Sequence, residues 1–282
     1  MSGLESFNNI QEPKNIRGPK EETMCASPVL KHTNQDVPMT EAEWHLRVDL
    51  AACYRLVAHF DMDDLFATHV SARVPGAEEH FLINPYGVHF SEVTASNLVK
   101  VNLDGKIIND TDHVINPAGF VIHSAIHGAR PDAKCVLHTH TVAGMAIATM
   151  QDGLQPMFQK ATRYYKRIAY HDFEGKAQDL DERERLVRDL GDKNYLVLRN
   201  HGLLVCAPTI HQAFKEMYAM EKACKTQLAI MSAGGELVKM SDNLLEHTAQ
   251  QFASDAHVTK ERPSGWNSLK KMLDRVSPGY DC

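Results

Sequence analysis

No stretch of this 282-residue sequence offers the roughly 20 consecutive apolar residues that a membrane helix needs. The first twenty residues, MSGLESFNNIQEPKNIRGPK, also lack the charged-then-apolar order of a signal peptide. These absences predict a cytoplasmic protein with no membrane partner. The net charge of −6 and the scatter of lysines and arginines leave no basic stripe, so nucleic acid is not expected as a partner either. The six cysteines are widely spaced and form no CxxC pair, which suggests neither a zinc ribbon nor a disulfide framework. Internal repeats and interior low-complexity linkers are missing as well, and a single α/β domain is preferred to two.

What is present is an ordinary globular composition, 43% hydrophobic, enough for a substantial core. Residues 1 to 38 are polar and show no period, which predicts a flexible N-terminal arm. The fold should start near Met39. TEAEWHLRVDLAACYRLVAHF opens with Thr40 as a cap, Glu43 three places later, and apolar residues at helical spacing. Three strand-like runs follow, ATHVSARV, HFLINP and KVNLDGKII, in a hairpin-rich region. A helix stopped before Pro131, the strand KCVLH and the small-residue helix TVAGMAIATM come next. A polar segment leads to the helix DERERLVRDLGD, two apolar runs broken at Asn-His-Gly, and a long helix from Thr209. The domain is expected over residues 39–250, with 251–282 as a tail packed on it or on a neighbouring subunit.

The stretch VLHTHTVAG contains two of the sixteen histidines, one residue apart at a strand end. Residues i and i+2 of a strand share a face, which puts His138 and His140 about 7 Å apart at Cα on one surface. Such a pair can grip one ion, or simply be two hydrogen-bonded or surface histidines. His201, between two apolar runs and flanked by Asn200 and Gly202, is the natural third ligand. His123 and His127, four apart on one helix, could also make a ligand pair, but read better as a helix face packed on the sheet. The segment RYYKRIAYHDFEG supplies Tyr164, Tyr165, His171 and Glu174 as catalytic candidates, or as groups that only tie down a polar loop. His171 has the intrinsic pKa that suits acid/base work.

RPDAKCVLHTHTVAGMAIA and LRNHGLLVCAPTIHQAFKEMYAMEKACKTQ together resemble the two metal-binding blocks of the class II aldolase/adducin-head family. The resemblance runs from about Trp44 to Leu228, and WNSLKKMLDRVSPGY resembles the C-terminal tail of the family's bacterial adducin-like branch. The resemblance implies a three-layer α/β/α domain around a mainly antiparallel, mixed sheet. It further implies a homotetramer, and one divalent metal ion per subunit on His138, His140 and His201. Imidazole ligands suit zinc, iron, copper and nickel alike, so they do not choose the metal; zinc or iron(II) is expected, with manganese as a further candidate. His69, Tyr86 and Gly119 fall at substrate-facing positions.

The chain departs from the family's sugar-phosphate aldolases at three such positions. Gly119 stands where they carry an acid/base glutamate, Ala118 and Gly119 replace a serine pair for the substrate phosphate, and His69 replaces an asparagine. These departures point to a small-molecule carboxylate, a non-phosphorylated 2-oxo or 2-hydroxy acid. The expected chemistry is a lyase reaction through a metal-stabilised enediolate. Oxidative decarboxylation at a non-heme Fe(II) centre is one alternative, and a non-catalytic adducin-like assembly module is another.

Overall fold

A computed structural model describes residues 39–77, 79–175, 181–258 and 265–282. The arm expected over residues 1–38 lies outside them. A seven-stranded sheet runs in the order β3-β2-β1-β4-β7-β6-β5. Its strands are β1 (His69–Arg73), β2 (His80–Ile83), β3 (Val99–Asn102), β4 (Cys135–Thr139), β5 (Ile168–His171), β6 (Tyr195–Leu198) and β7 (Gly202–Ala207). Every pairing is antiparallel except that of β5 with β6. The result is a single α/β domain built on a mixed, mainly antiparallel sheet.

Helices cover both faces because the strands alternate apolar residues to both sides. On β4, Cys135 and Leu137 join the larger core with α1 (Glu41–His59), α3 (Val142–Thr149) and α5 (Ile210–Ala233). Val136, one residue out of step, joins a smaller core with α2 (Pro117–Ala129) and α4 (Glu182–Leu190). By the same alternation His138 points to the α2/α4 side, which places a polar ring on a face otherwise closed by Ile122, Leu196 and Leu204.

Local signals set the helix ends. Thr40 caps α1 by accepting from the Glu43 backbone N–H at 3.1 Å, but the Glu43 side chain does not return to the cap. It is drawn inward to Arg47 and to Lys100 on β3, the latter at 2.7 Å. α1 is further tied to β1 and to the end of β2 by the buried Tyr54 hydroxyl. That oxygen accepts from the backbone N–H groups of Val70 at 2.9 Å and Asn84 at 3.0 Å.

The structure differs from the sequence expectation after α3. RYYKRIAYHDFEG is not all loop: Gln159–Tyr164 form a 3-10 turn, and Ile168–His171 form the edge strand β5. Four residues with a polar tyrosine and histidine at the end carry too little alternation to read as a strand, and parallel pairing with the later β6 creates it. α6 (Asp242–Val258) crosses residue 250, and α7 (Trp266–Val276) returns to α1, where Trp266 Nε1 donates to Asp49 at 2.9 Å. Cys53, Cys135, Cys206 and Cys224 are free and buried, whereas Cys282 is disulfide-bonded, a pairing that the wide spacing of the cysteines did not signal.

Candidate metal centre

Three elements deliver three imidazoles to one point. His138 is the fourth residue of β4, and His140 follows its last residue, just before Thr141 caps α3 by accepting from Gly144 N at 3.1 Å. His201 sits in the tight turn from β6 to β7. Asn200 adopts φ 54°, a left-handed conformation that asparagine tolerates, and His201 N–H donates to the Leu198 carbonyl at 3.1 Å. Gly202 allows the turn to descend onto the pair. A Cβ there would stand 2.4 Å from the Thr139 carbonyl oxygen, 3.1 Å from His140 Cδ2 and 3.3 Å from His138 Cε1. The Asn-His-Gly of the sequence is therefore a device for placing one ring.

The three rings meet edge-on or tilted, with centroids 4.5, 4.8 and 4.7 Å apart, and one ring nitrogen from each lies within 4.8 Å of the others. His138 Nε2 and His140 Nε2 face each other at 2.8 Å. Their far nitrogens are engaged. His138 Nδ1 meets the Leu203 carbonyl at 2.9 Å, so it carries the proton and leaves Nε2 with a lone pair. His140 Nδ1 meets Asp64 Oδ2 at 3.1 Å, which does the same for the second ring. Burial, then the neighbouring histidines, push His138 well below the ordinary histidine value and His201 down to about 4. Converging imidazole nitrogens are donors that a divalent cation of the zinc or iron type takes, so the donor set fits one. Among the described residues no other group of three His, Cys, Asp or Glu has this geometry.

The remaining candidates fall into two sets. His69 lies opposite His138 in the β1–β4 register, on the same face, with its ring against Gly119 of α2. His171 closes β5, buried, with Nδ1 2.8 Å from Asp189 and Nε2 3.5 Å from Glu182, and within electrostatic reach of His201. Glu174 instead pairs with Arg185 on the surface, which lowers its carboxyl below the usual range, and the Tyr165 ring lies under Lys166 at 4.9 Å. Tyr86 is 54% exposed on the loop after β2. Asp64 was not singled out from the sequence. Its only mark there is the acidic run Asp61-Met-Asp-Asp between α1 and β1, and nothing local ties that run to His140, 76 residues away.

Comparison with known proteins identifies the family and the fold. The sequence model of the Class II Aldolase and Adducin N-terminal domain matches residues 48–228. An aldolase II superfamily protein from Pseudomonas syringae superposes with a TM-score of 0.80 at 47% identity, covering 86% of this chain and 98% of that one. The L-fuculose 1-phosphate aldolase of Glaciozyma antarctica PI12 superposes with a TM-score of 0.70 at 25% identity, covering 86% and 96%. Alpha-adducin of Rattus norvegicus is 38% identical over 260 residues, 88% of this chain but 35% of the adducin. The chain belongs to the class II aldolase and adducin N-terminal domain family, and this membership supports a metal-dependent, aldolase-like function.

Proposed function

We propose that the chain is a metal-dependent lyase of class II aldolase type that acts on a small, non-phosphorylated 2-oxo or 2-hydroxy acid. One divalent ion per subunit, zinc or iron(II) with manganese as a further fit, is held by His138, His140 and His201. The convergence of three imidazoles, two of them oriented by the Leu203 carbonyl and Asp64, in a chain of this family carries the reading. A divalent ion there supplies Lewis-acid polarisation of a carbonyl oxygen, an effect of several kcal/mol.

The protein's own residues do the rest. The Leu203 carbonyl and Asp64 fix the tautomers of His138 and His140, so neither ring must reorganise to bind. Three neutral ligands leave the ion's charge near +2, which favours an anionic chelating substrate over a neutral one. Ala118 and Gly119, at the start of α2, have no hydroxyl to offer a phosphoryl group, which argues against a substrate of the kind named in the fuculose 1-phosphate aldolase. His171, with its Nδ1 proton directed to Asp189, is the acid/base candidate, since Glu174 and Tyr165 have their partners elsewhere. Leu65, one residue after Asp64 and 63% exposed, and Val142, two residues after His140 and 82% exposed, support a subunit boundary at the site, as a homotetramer would have.

The test is metal content after purification without chelators, with His138→Ala and His201→Ala alongside. About one ion per wild-type chain and a small fraction in the variants is expected; equal content in all three refutes the reading. A second reading, a non-heme Fe(II) oxygenase, is supported by an all-histidine trio with Gly119, rather than a general base, at the start of α2. Oxygen uptake with 2-oxo acids separates the two, because a turnover that continues unchanged without oxygen excludes an oxygenase. The likeness to alpha-adducin supports a third, a non-catalytic assembly module, and a metal-free wild type with full folding stability would favour it.

A further inference from the structure

The three histidines of the metal centre are not held equally. His138 lies within the β4–β7 ladder, and His201 is set by its turn and by Gly202. His140 lies immediately past Thr139, the last residue of β4 to pair with β7, and Asp64 holds its ring rather than its backbone. A ring mounted on unpaired backbone is placed only as well as that backbone is.

The anchor comes from α5. Thr139 and Thr141 alternate with the histidines, and both of their hydroxyls are taken by α5 side chains: Thr139 Oγ1 donates to Met217 Sδ at 3.4 Å, and Thr141 Oγ1 donates to Glu221 Oε2. Met217 and Glu221 are four residues apart, so they lie on one face of the helix. One helical turn rises about 5.4 Å and two strand residues about 6.6 Å, which lets the two pairs form side by side.

Glu221 is the unusual member. It is 3% exposed on a helix face otherwise built from Ala213, Met217, Met220 and Cys224, where a carboxylate is costly unless it is paired. Lys225 meets its Oε1 at 3.0 Å, and its Oε2 is spent on Thr141. A charged acceptor makes a hydrogen bond roughly twice as strong as a neutral one. Thr141 has one hydroxyl proton; with that proton committed to Glu221, its oxygen accepts from the Gly144 N–H at 3.1 Å and starts α3. Gly144 is an independent sign that this hydroxyl must be seated. A Cβ there would stand 2.7 Å from Thr141 Oγ1 and 2.9 Å from Cγ and Cδ1 of Leu203, the residue whose carbonyl meets His138 Nδ1.

We propose that Glu221 is a positioning residue of the metal centre: through the Thr141 hydroxyl it fixes the backbone of His140, and so sets the affinity for the ion. The inference rests on the metal-centre reading above. Asp64 and Glu221 then divide the work on one ligand, the first orienting its ring and the second its main chain.

The test measures the zinc affinity of the full chain by competition with a chromogenic chelator, beside the melting temperature of the metal-free chain. Glu221→Met keeps the length and removes the acceptor, and affinity is expected to fall about tenfold, as when a group that orients a ligand is lost. Glu221→Gln still offers an oxygen to the Thr141 hydroxyl and should return to within about threefold of wild type. Thr141→Val removes the same bond from the other side and should weaken zinc at least as much, with recovery in Thr141→Ser; this pair carries the test if the methionine variant does not fold. In the Thr141→Val background, Glu221→Met should change affinity less than about twofold, because the two residues act as one. A buried carboxylate with a merely structural role would shift the melting temperature and leave the zinc affinity of the folded chain where it was. Unchanged affinity in either Glu221→Met or Thr141→Val, a glutamine variant as weak as the methionine one, or a full Glu221→Met effect without the threonine hydroxyl would overturn the proposal. A wild-type chain that holds no zinc overturns the metal-centre reading itself, whereas zinc bound with an affinity indifferent to residue 221 overturns only the positioning role.

Discussion

Gly202→Ala tests the construction of the metal centre without touching a ligand. The added methyl would stand 2.4 Å from the Thr139 carbonyl oxygen, well inside contact distance. This oxygen belongs to the last residue of β4, whose residues Cys135–Thr139 pair with β7, so it cannot rotate away as a flexible side chain could. Overpacking of this kind costs about 1–3 kcal/mol. Replacing glycine by alanine also lowers the entropy of the unfolded chain, a gain of roughly 0.4–1 kcal/mol. The clash wins, with a net loss of about 1–2 kcal/mol and a fall in melting temperature of several degrees for a chain of this size. Relief must come from the turn lifting off β4, and His201 lifts with it. Zinc affinity, measured by competition with a chromogenic chelator, should therefore fall by tenfold or more, the equivalent of about 1.4 kcal/mol. His201→Ala is the control: it should abolish tight zinc binding while the metal-free chain melts near wild type. A Gly202→Ala protein with wild-type melting temperature and zinc affinity would refute the argument that this glycine seats the third ligand.

Asp64→Asn leaves size unchanged but weakens the partner of His140 Nδ1, and zinc affinity should drop about 10- to 100-fold with little change in melting temperature; equal affinity would remove Asp64 from the site. Tyr54→Phe strips the acceptor from the buried N–H groups of Val70 and Asn84, an expected loss of roughly 2–4 kcal/mol in urea denaturation, and a loss under about 1 kcal/mol would contradict the accounting. Acid should destabilise the metal-free chain. His69 and His127 are held at about 3 and His201 at about 4, below the unfolded value near 6.5, so the unfolded chain takes up protons first and stability falls as pH drops below about 6.5. Each fully buried ring contributes up to about 2 kcal/mol of that loss by pH 5, and a urea midpoint constant from pH 7 to 5 would show that the rings are not held neutral by burial.

Much of the architecture was legible because its signals are local. The Thr40 cap, the 3.6-residue spacing through Leu56, the break before Pro131 and the two apolar runs around Asn-His-Gly each specify an element from within a few residues, and α1, α2, β6 and β7 lie there. β5 was not legible, since four residues become a strand only when β6 arrives to pair with them in parallel. His138 and His140 carried their own signal, an alternation of two on one strand, and His201 was marked by its turn.

What the sequence by itself determined is thus the order of the local elements and three candidate ligand histidines, because backbone period, caps and turn residues act over a few positions. The layered fold was implied only by the family resemblance. Tertiary structure alone decided what surrounds those ligands. It brought Asp64 to His140 across 76 residues, confined His171 between Asp189 and Glu182, turned Glu174 to Arg185, and laid the His69 ring where a Gly119 side chain would have been. The physical reason is that tautomer, charge state and free space depend on contacts between segments distant in the chain, and no period or motif in either segment encodes them.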